Sequence, residues 1–415
     1  MGRDGAREGR GGGPGGLLLP VYLPTALLAF GQGLLVPTLP FYAAAIGAAA
    51  SLIGFVVAAA GLGTLAADIP SGVALGRLGR RPAMLLGAGI VALSTLAAGF
   101  AQNVALLVAL RLLAGAGTAL WGLSRHAYIT DVTAPAGRGR AIAIFGGINR
   151  TGNLLAPAFG GIAAKAFGLP APFFLAGAFA ATAALLALLL VPESGPAGGA
   201  AAVKGGHRLR WGLVGALLRT HWRDLSAAGV AQIFAQMIRA GRQLLIPLYG
   251  QSLGLDVAEV GTIVSIAAAL DVAMFFPAGL TMDRFGRKVA AVPSFTVMAM
   301  GMALLTLAGD YRGLLVAAAI IGFGNGLGSG TMMTLGADLA PPGAVGEFLG
   351  FWRLIGDAGQ AGGPLVVGAA YETFGPPATA LLLCGIGVAA ALTLALLVRE
   401  TRAAPDPAPG ARGAD

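Results

Sequence analysis

Nine ionisable residues stand inside long apolar stretches of this 415-residue chain: Asp68, Arg111, Arg125, Arg150, Arg239, Arg242, Asp271, Arg353 and Asp357. Their types limit the chemistry on offer. A carboxylate in apolar surroundings can take up and release a proton. A guanidinium can grip a carboxylate or phosphate through its planar fork. Charges in such surroundings are costly and mark pathways and binding sites. The rest of the sequence points away from covalent catalysis and metal chemistry. It has a single cysteine, Cys384, and three scattered histidines, His126, His207 and His221. Neither a nucleophile–base set nor a ligand spacing results. The chain is read as no enzyme, with no metal and no cofactor beyond a proton gradient.

The elements that hold these residues follow from composition. Hydrophobic residues make up 56% of the chain and charged residues 11%, and the mean hydropathy is +0.80. A soluble domain carries roughly 25% charged residues. Most of this surface must therefore face lipid. A membrane helix needs about 20 mostly apolar residues. That measure finds twelve spans, at 17–43, 51–75, 83–101, 104–129, 140–165, 171–191, 224–250, 258–281, 289–308, 313–337, 345–372 and 377–398. The expected organisation is a disordered cytoplasmic tail (1–16), a six-helix bundle (17–191), a cytoplasmic linker with a possible surface helix (192–223), a second six-helix bundle (224–398) and a cytoplasmic tail (399–415). Of 27 basic residues, 19 fall in the tails and the loops on the side of the N-terminus, and two, Lys165 and Arg312, on the other side. That asymmetry places both termini in the cytoplasm. It also explains the net charge of +9 without nucleic acid. Arg125, near a cytoplasmic end, is expected to extend toward the surface.

The two halves repeat at an offset of 207 residues. Pro40 and Tyr42 match Pro247 and Tyr249; Gly54, Pro70 and Gly72 match Gly261, Pro277 and Gly279. Arg77, Gly79 and Arg80 match Arg284, Gly286 and Arg287; Asp131 matches Asp338; Gly152 and Pro157 match Gly359 and Pro364. Six spans per half is an even number, so both halves share one orientation. The fold expected is all-α, two parallel-related six-helix bundles around a midplane site.

The loop after span 8 reads Gly279-Leu-Thr-Met-Asp283-Arg284-Phe-Gly286-Arg287-Lys288. Its counterpart after span 2 reads Gly72 to Arg81, with Gly76 in place of the acid. Through these loops the sequence resembles the major facilitator superfamily over residues 17–401. Arg111-Leu-Leu-Ala-Gly115-Ala-Gly117 is similar to the family's proton-coupling motif. Gly152-Asn-Leu-Leu-Ala156-Pro157 is similar to its antiporter motif, with Ala156 where Gly is usual. The resemblance implies the twelve-span drug:proton antiporter group. It also implies switch roles for Gly72, Arg77, Gly79, Arg80, Asp131, Gly152, Pro157, Gly279, Asp283, Arg284, Gly286, Arg287, Asp338 and Pro364. In that family spans 2 and 11 meet across the halves, as do spans 5 and 8. Two bridges follow, Asp68–Arg353 and Arg150–Asp271, closing the cytoplasmic side when the other side is open. Local alternatives are Arg353–Asp357, four apart on one helix, and Arg239–Asp271 on adjacent spans.

Asp68, Arg111, Arg150, Asp271, Arg353 and Asp357 are the candidates for proton coupling and gating. Gln32, Trp121, Phe145, Arg239, Arg242 and Trp352 are candidates for lining a substrate cavity. The expected activity is proton-coupled export of amphipathic organic compounds by a monomer in the cell membrane. The excess of intramembrane arginine favours an organic anion or lipid-like phosphate compound as an alternative. A receptor built on a transporter scaffold is a third reading.

Overall fold

The computed structural model describes residues 17–133, 135–192, 222–340 and 345–401. The expected tails and most of the linker, 192–223, lie outside the described residues. A π-helical segment, Leu18–Tyr22, leads into α1 (Leu23–Ala45). The first half continues with α2 (Ala50–Leu78), α3 (Arg80–Ala98), α4 (Val104–Val132), α5 (Pro135–Phe167) and α6 (Ala171–Leu190). The second half holds α7 (Trp222–Ser252), α8 (Val257–Phe285), α9 (Arg287–Leu305), α10 (Tyr311–Leu327), α11 (Thr331–Asp338) and α12 (Val345–Leu396). Residue Gly375, with φ of +79°, divides α12 into two limbs.

Among the described residues, nine segments are long and apolar enough to cross a bilayer. Their outer faces carry exposed Leu93, Phe167 and Leu307 at 72%, 83% and 80%, an apolar surface suited to lipid. Apolarity alone thus does not reproduce the count of twelve. One of the nine segments contains both limbs of α12. Helices α5 and α7 are not among the nine: α5 carries Arg138, Arg140, Arg150 and Lys165, and α7 carries Gln232, Gln236, Arg239, Arg242 and Gln243. Of these, Arg150, Gln236, Arg239, Arg242 and Gln243 line the central cavity.

The packing repeats with the sequence. Helix α1 packs on α5 and α6, α2 on α4, and α3 on α4 and α6. In the second half α7 packs on α12, α8 on α10, and α9 on α10 and α12. Both limbs of α12 reach α7: Gly359 and Gly363 lie against Ile233 and Met237, and Leu383 lies against Gly241. Across the halves α2 meets α12 and α5 meets α8, as the family resemblance implied.

Two faces of the bundle can be told apart. One carries the α2–α3 and α8–α9 turns with Arg77, Arg80, Arg81, Arg284, Arg287 and Lys288; we call it the basic face. At each turn a glycine, Gly79 or Gly286, takes a positive φ of +87° or +110°, where a side chain would be strained. The tight inter-half contacts lie toward the opposite face. A Cβ on Gly54 would strike the Pro364 carbonyl and one on Gly261 the Pro157 carbonyl. Gly368 lies against Ala50 and Gly161 against Val257 in the same way. Each of these contacts is the 207-residue copy of another, so the interface is as two-fold as the sequence. Backbones pressed this closely need small residues.

Candidate functional site

A cavity of about 760 Å³ lies between the halves. Both halves line it. The first half contributes Gln32 from α1, Thr64 from α2, Arg111 and Thr118 from α4 and Arg150 from α5. The second contributes Gln236, Arg239, Arg242 and Gln243 from α7, Asp271 from α8, Asn325 and Ser329 at the end of α10, and Gln360 from α12.

Asp271 is the one carboxylate among the described lining residues. Asn325 donates to its Oδ2 at 2.6 Å. Arg242 approaches the same oxygen at 3.4 Å. Arg150, from the other half, reaches Oδ1 at 3.8 Å and donates to the Ser329 hydroxyl at 2.9 Å. The Arg150 guanidinium also lies 4.5 Å from the centre of the Phe275 ring. Asp271 is thus held by its own half and touched by the other.

The second anchor is a break in the chain. Helix α10 stops at Leu327, the run Gly326-Leu-Gly328-Ser-Gly330 follows, and α11 begins at Thr331. Gly330 has φ of +80°. At the break the Gly328 carbonyl accepts from Arg239 at 2.9 Å as well as from the Thr331 hydroxyl at 2.7 Å. Arg239 also lies 5.2 Å over Phe295. Two arginines, from α5 and α7, therefore end on two adjacent residues of one helix break.

Of the residues singled out from sequence, the cavity brings together Gln32, Arg111, Arg150, Arg239, Arg242 and Asp271. The partner that α7 gives Asp271 is Arg242; Arg239 is turned to the Gly328 carbonyl instead. Asp68 and Arg353 are not joined here. Arg353 pairs within α12 with Asp357 at 3.6 Å, the local alternative, and Asp68 lies within reach of the charges of both. Of the two bridges expected across the halves, Arg150–Asp271 is thus present and Asp68–Arg353 is absent among the described residues. Trp121 and Trp352 do not line the cavity. Trp121 packs with Met84, Ala88 and Val91. Trp352 donates to the Met332 carbonyl at 2.9 Å and stacks on Phe348, tying α12 to α11. The Phe145 side chain lies outside the described residues. Arg125 is buried, only 8% exposed, rather than extended to the surface as expected.

On the basic face Arg80 pairs with Asp131 at 2.9 Å and Arg287 with Asp338 at 2.6 Å, the same bond at both copies of the repeat. Glu400 accepts from the backbone N–H groups of Arg287 and Lys288, capping α9 at its positive end. Arg77, Asp283 and Arg284 are exposed, and Arg284 lies over Phe285. Gly72 and Gly279 meet no close neighbour; the helices do not press together there, because the close inter-half contacts are on the other face. Gly152 packs against Ala29 and Phe30 of α1, and Pro157 and Pro364 serve the interface described above.

The sequence reading passed over Gln236, Gln243, Asn325, Ser329 and Gln360. A signal was available for two of them: Gln236, Arg239 and Gln243 follow at helical spacing on one face of α7. The glycine run at 326–330 was likewise a visible breaker.

A family profile described as Major Facilitator Superfamily matches residues 21–239 and 228–414. The chain belongs to this superfamily. An uncharacterized transporter of the superfamily from Methanocaldococcus jannaschii is 22% identical over 335 residues, covering 80% of this chain and 85% of that protein. Multidrug resistance protein 2 of Bacillus subtilis is 31% identical over 175 residues, 42% of this chain and 44% of that protein. Among solved structures, a D-xylose–proton symporter overlays with a TM-score of 0.73 at 19% identity, covering 92% of this chain and 98% of that one. As a member of this superfamily the protein is a multi-pass membrane transporter.

Proposed function

We propose that the protein is a proton-coupled antiporter of the cell membrane that exports an amphipathic organic compound by alternating access, with Asp271 as the carboxylate that carries the coupling proton. The observation that carries this reading is the position of Asp271, in the central cavity, between Arg242 of its own half and Arg150 of the other. A proton on Asp271 removes the charge that both arginines face. The inter-half contact through Arg150 then weakens, and the halves are freed to rock. Deprotonation draws Arg150 back. A ligand that favours one of two states shifts the balance only by its difference in affinity, and the two protonation states of Asp271 supply such a difference.

The asymmetry of basic residues supports a cytoplasmic basic face. With that orientation the tight glycine contacts lie on the outer side, which favours reading this as an inward-facing state. Efflux is favoured by the likeness to a multidrug resistance protein over part of its length. A monomer suffices, since both halves of the cavity come from one chain, and the proton gradient takes the place of a cofactor.

Purified protein in proteoliposomes, given a panel of cationic, neutral and anionic amphipaths under an imposed pH gradient, tests the reading. The expected result is flux driven by the gradient and lost in Asp271→Asn. Flux indifferent to the gradient in the wild type would refute the coupling.

A further inference from the structure

The charges around the cavity are unequally answered. Asp271 faces Arg242 and Arg150. Arg239 has the Gly328 carbonyl and the Phe295 ring. Arg111 has neither: among the described residues it has no hydrogen-bond acceptor and no carboxylate, and its Nε is buried and unsatisfied. Arg111 cannot easily be carried elsewhere. On the same helix Gly115 presses on the Ala60 carbonyl of α2, and Gly63 of α2 presses on Leu112. Helix α4 is clamped to α2 at Leu112 and Gly115, directly after Arg111.

Arg111 is half-buried with its Nε withdrawn from water, and a guanidinium so placed without a counter-charge is unfavourable. An acceptor arriving from outside removes that penalty. A cation in the same cavity would meet four guanidinium groups, and the one carboxylate among the described lining residues already has Asn325 and Arg242 on Oδ2 and the Arg150 guanidinium 3.8 Å from Oδ1, which itself takes no hydrogen bond. The same cavity is lined from the first half by the apolar Leu28, Leu35, Val57 and Val91.

We propose that Arg111 holds the anionic group of the transported compound, so that the substrate class is an amphipathic organic anion with a carboxylate, sulfonate or phosphate head. The head sits on Arg111 and the body lies along Leu28, Leu35, Val57 and Val91. The inference rests on the transporter reading for its purpose, but the binding step stands apart from it. Proton and substrate then occupy different halves of the cavity: Asp271 serves the proton and Arg111 the anion.

The test is calorimetric titration of the purified full chain with probes that share one ring system. The anions are 2-naphthoate, 2-naphthalenesulfonate and 2-naphthyl phosphate; the controls are neutral 2-naphthamide and cationic 2-naphthylmethylammonium. At least one anion is expected to bind about tenfold tighter than the amide, and the ranking of the three identifies the head group. Arg111→Gln is expected to bring that anion to the level of the amide while leaving amide affinity unchanged. Arg111→Met, which removes an unanswered charge, is expected to unfold at a temperature no lower than the wild type and to lose the anion preference as well. Saturable binding of none of the anions would overturn the proposal, as would tightest binding of the ammonium probe or an anion preference that survives both substitutions. A large loss of thermal stability in Arg111→Met would also overturn it, since it would mean that the guanidinium has an internal partner. Flux of the best probe in proteoliposomes is measured in parallel. Binding that depends on Arg111 without flux would remove the transport reading and leave the anion site standing.

Discussion

The two halves of the molecule are nearly copies at the two faces and unlike one another in the middle. At the basic face Arg80–Asp131 is repeated as Arg287–Asp338. At the opposite face Gly54 against Pro364 is repeated as Gly261 against Pro157. At the cavity the copies part. Thr64, Thr118 and Gln32 of the first half stand at the positions of Asp271, Asn325 and Arg239 in the second. Helix α4 runs unbroken through Trp121, whereas its copy stops at Gly328, the equivalent residue. Trp121 carries an indole where the second half has Gly328, whose carbonyl accepts from Arg239. On the proposed reading, the parts that serve rocking have stayed alike and the parts that would meet cargo or proton have diverged, since rocking needs two equal levers and coupling only one proton carrier.

The largest expected effect tests this division directly. Asp271→Asn should reduce gradient-driven flux by about 100-fold, the lower range for loss of a side chain that carries a proton in the rate-setting step. It should also destabilise the fold by about 3 kcal/mol, because Arg242 is left buried without its partner. Thr64→Ala, at the equivalent position, should change flux by less than about threefold, since its hydroxyl only bonds the Ala60 and Gly115 carbonyls. Flux assays and thermal unfolding on the pair decide the matter. Comparable losses at both positions would mean that the coupling is shared between the halves.

Next come the interface glycines, where equality is the expectation. Gly54→Ala and Gly261→Ala each push a methyl into a carbonyl of the other half. Overpacking of this kind costs about 1–3 kcal/mol. Because only the state with the opposite face closed bears that cost, both variants should favour opening of that face. Cysteine-labelling rates at positions 50 and 257 would read the shift. A change at one glycine alone would show that the halves do not hinge symmetrically. The basic-face pairs should follow with smaller effects. Asp131→Asn is expected to cost roughly 1 kcal/mol or less in a partly exposed ion pair. Asp338→Asn should cost somewhat more, since Asp338 also accepts from Thr401. Chemical denaturation of the two variants side by side measures the difference.

The contrast between faces and middle also explains what the sequence could tell. Span periodicity, charge asymmetry and the 207-residue repeat concern features that every helix obeys, and these were legible. Asp271, Arg150 and Arg111 were legible because an ion in an apolar run stands out. Gln236, Asn325 and Ser329 were not, because an amide or hydroxyl inside a helix is commonplace and acquires meaning only when several converge. The choice of Arg242 over Arg239 as partner for Asp271 depended on the α10 break. No pairwise spacing rule contains it, since the Gly328 carbonyl that accepts from Arg239 lies where the helix stops. Trp121 and Trp352 failed as cavity residues for the opposite reason: large aromatics fill space between helices more often than they face a cavity.

The smallest effect expected is at the rim of the face opposite the basic one, where the halves differ again. Lys165 bonds Asp256 at 2.6 Å, and its copy, Glu372, instead accepts from the backbone N–H of Ser51 at 2.8 Å. Both join the halves at the opposite face. Burial acts to raise the Asp256 carboxyl pKa, but bonds from Lys165 and from the Glu259 and Ala258 N–H groups overcome it and hold the pKa below its ordinary value. A carboxylate whose pKa is depressed in the closed state contributes fully above its ordinary pKa, and the contribution is lost as pH falls through the depressed value. The tie between Lys165 and Asp256 is therefore intact throughout the neutral range and fails only in strong acid. Lys165→Gln should raise labelling of the opposite face by about twofold, as suits an exposed pair, and should do so equally at pH 7 and pH 5. A rise confined to pH 5 would make this rim, and not the cavity, the place where protons act, and the assignment of coupling to Asp271 would then fail with it.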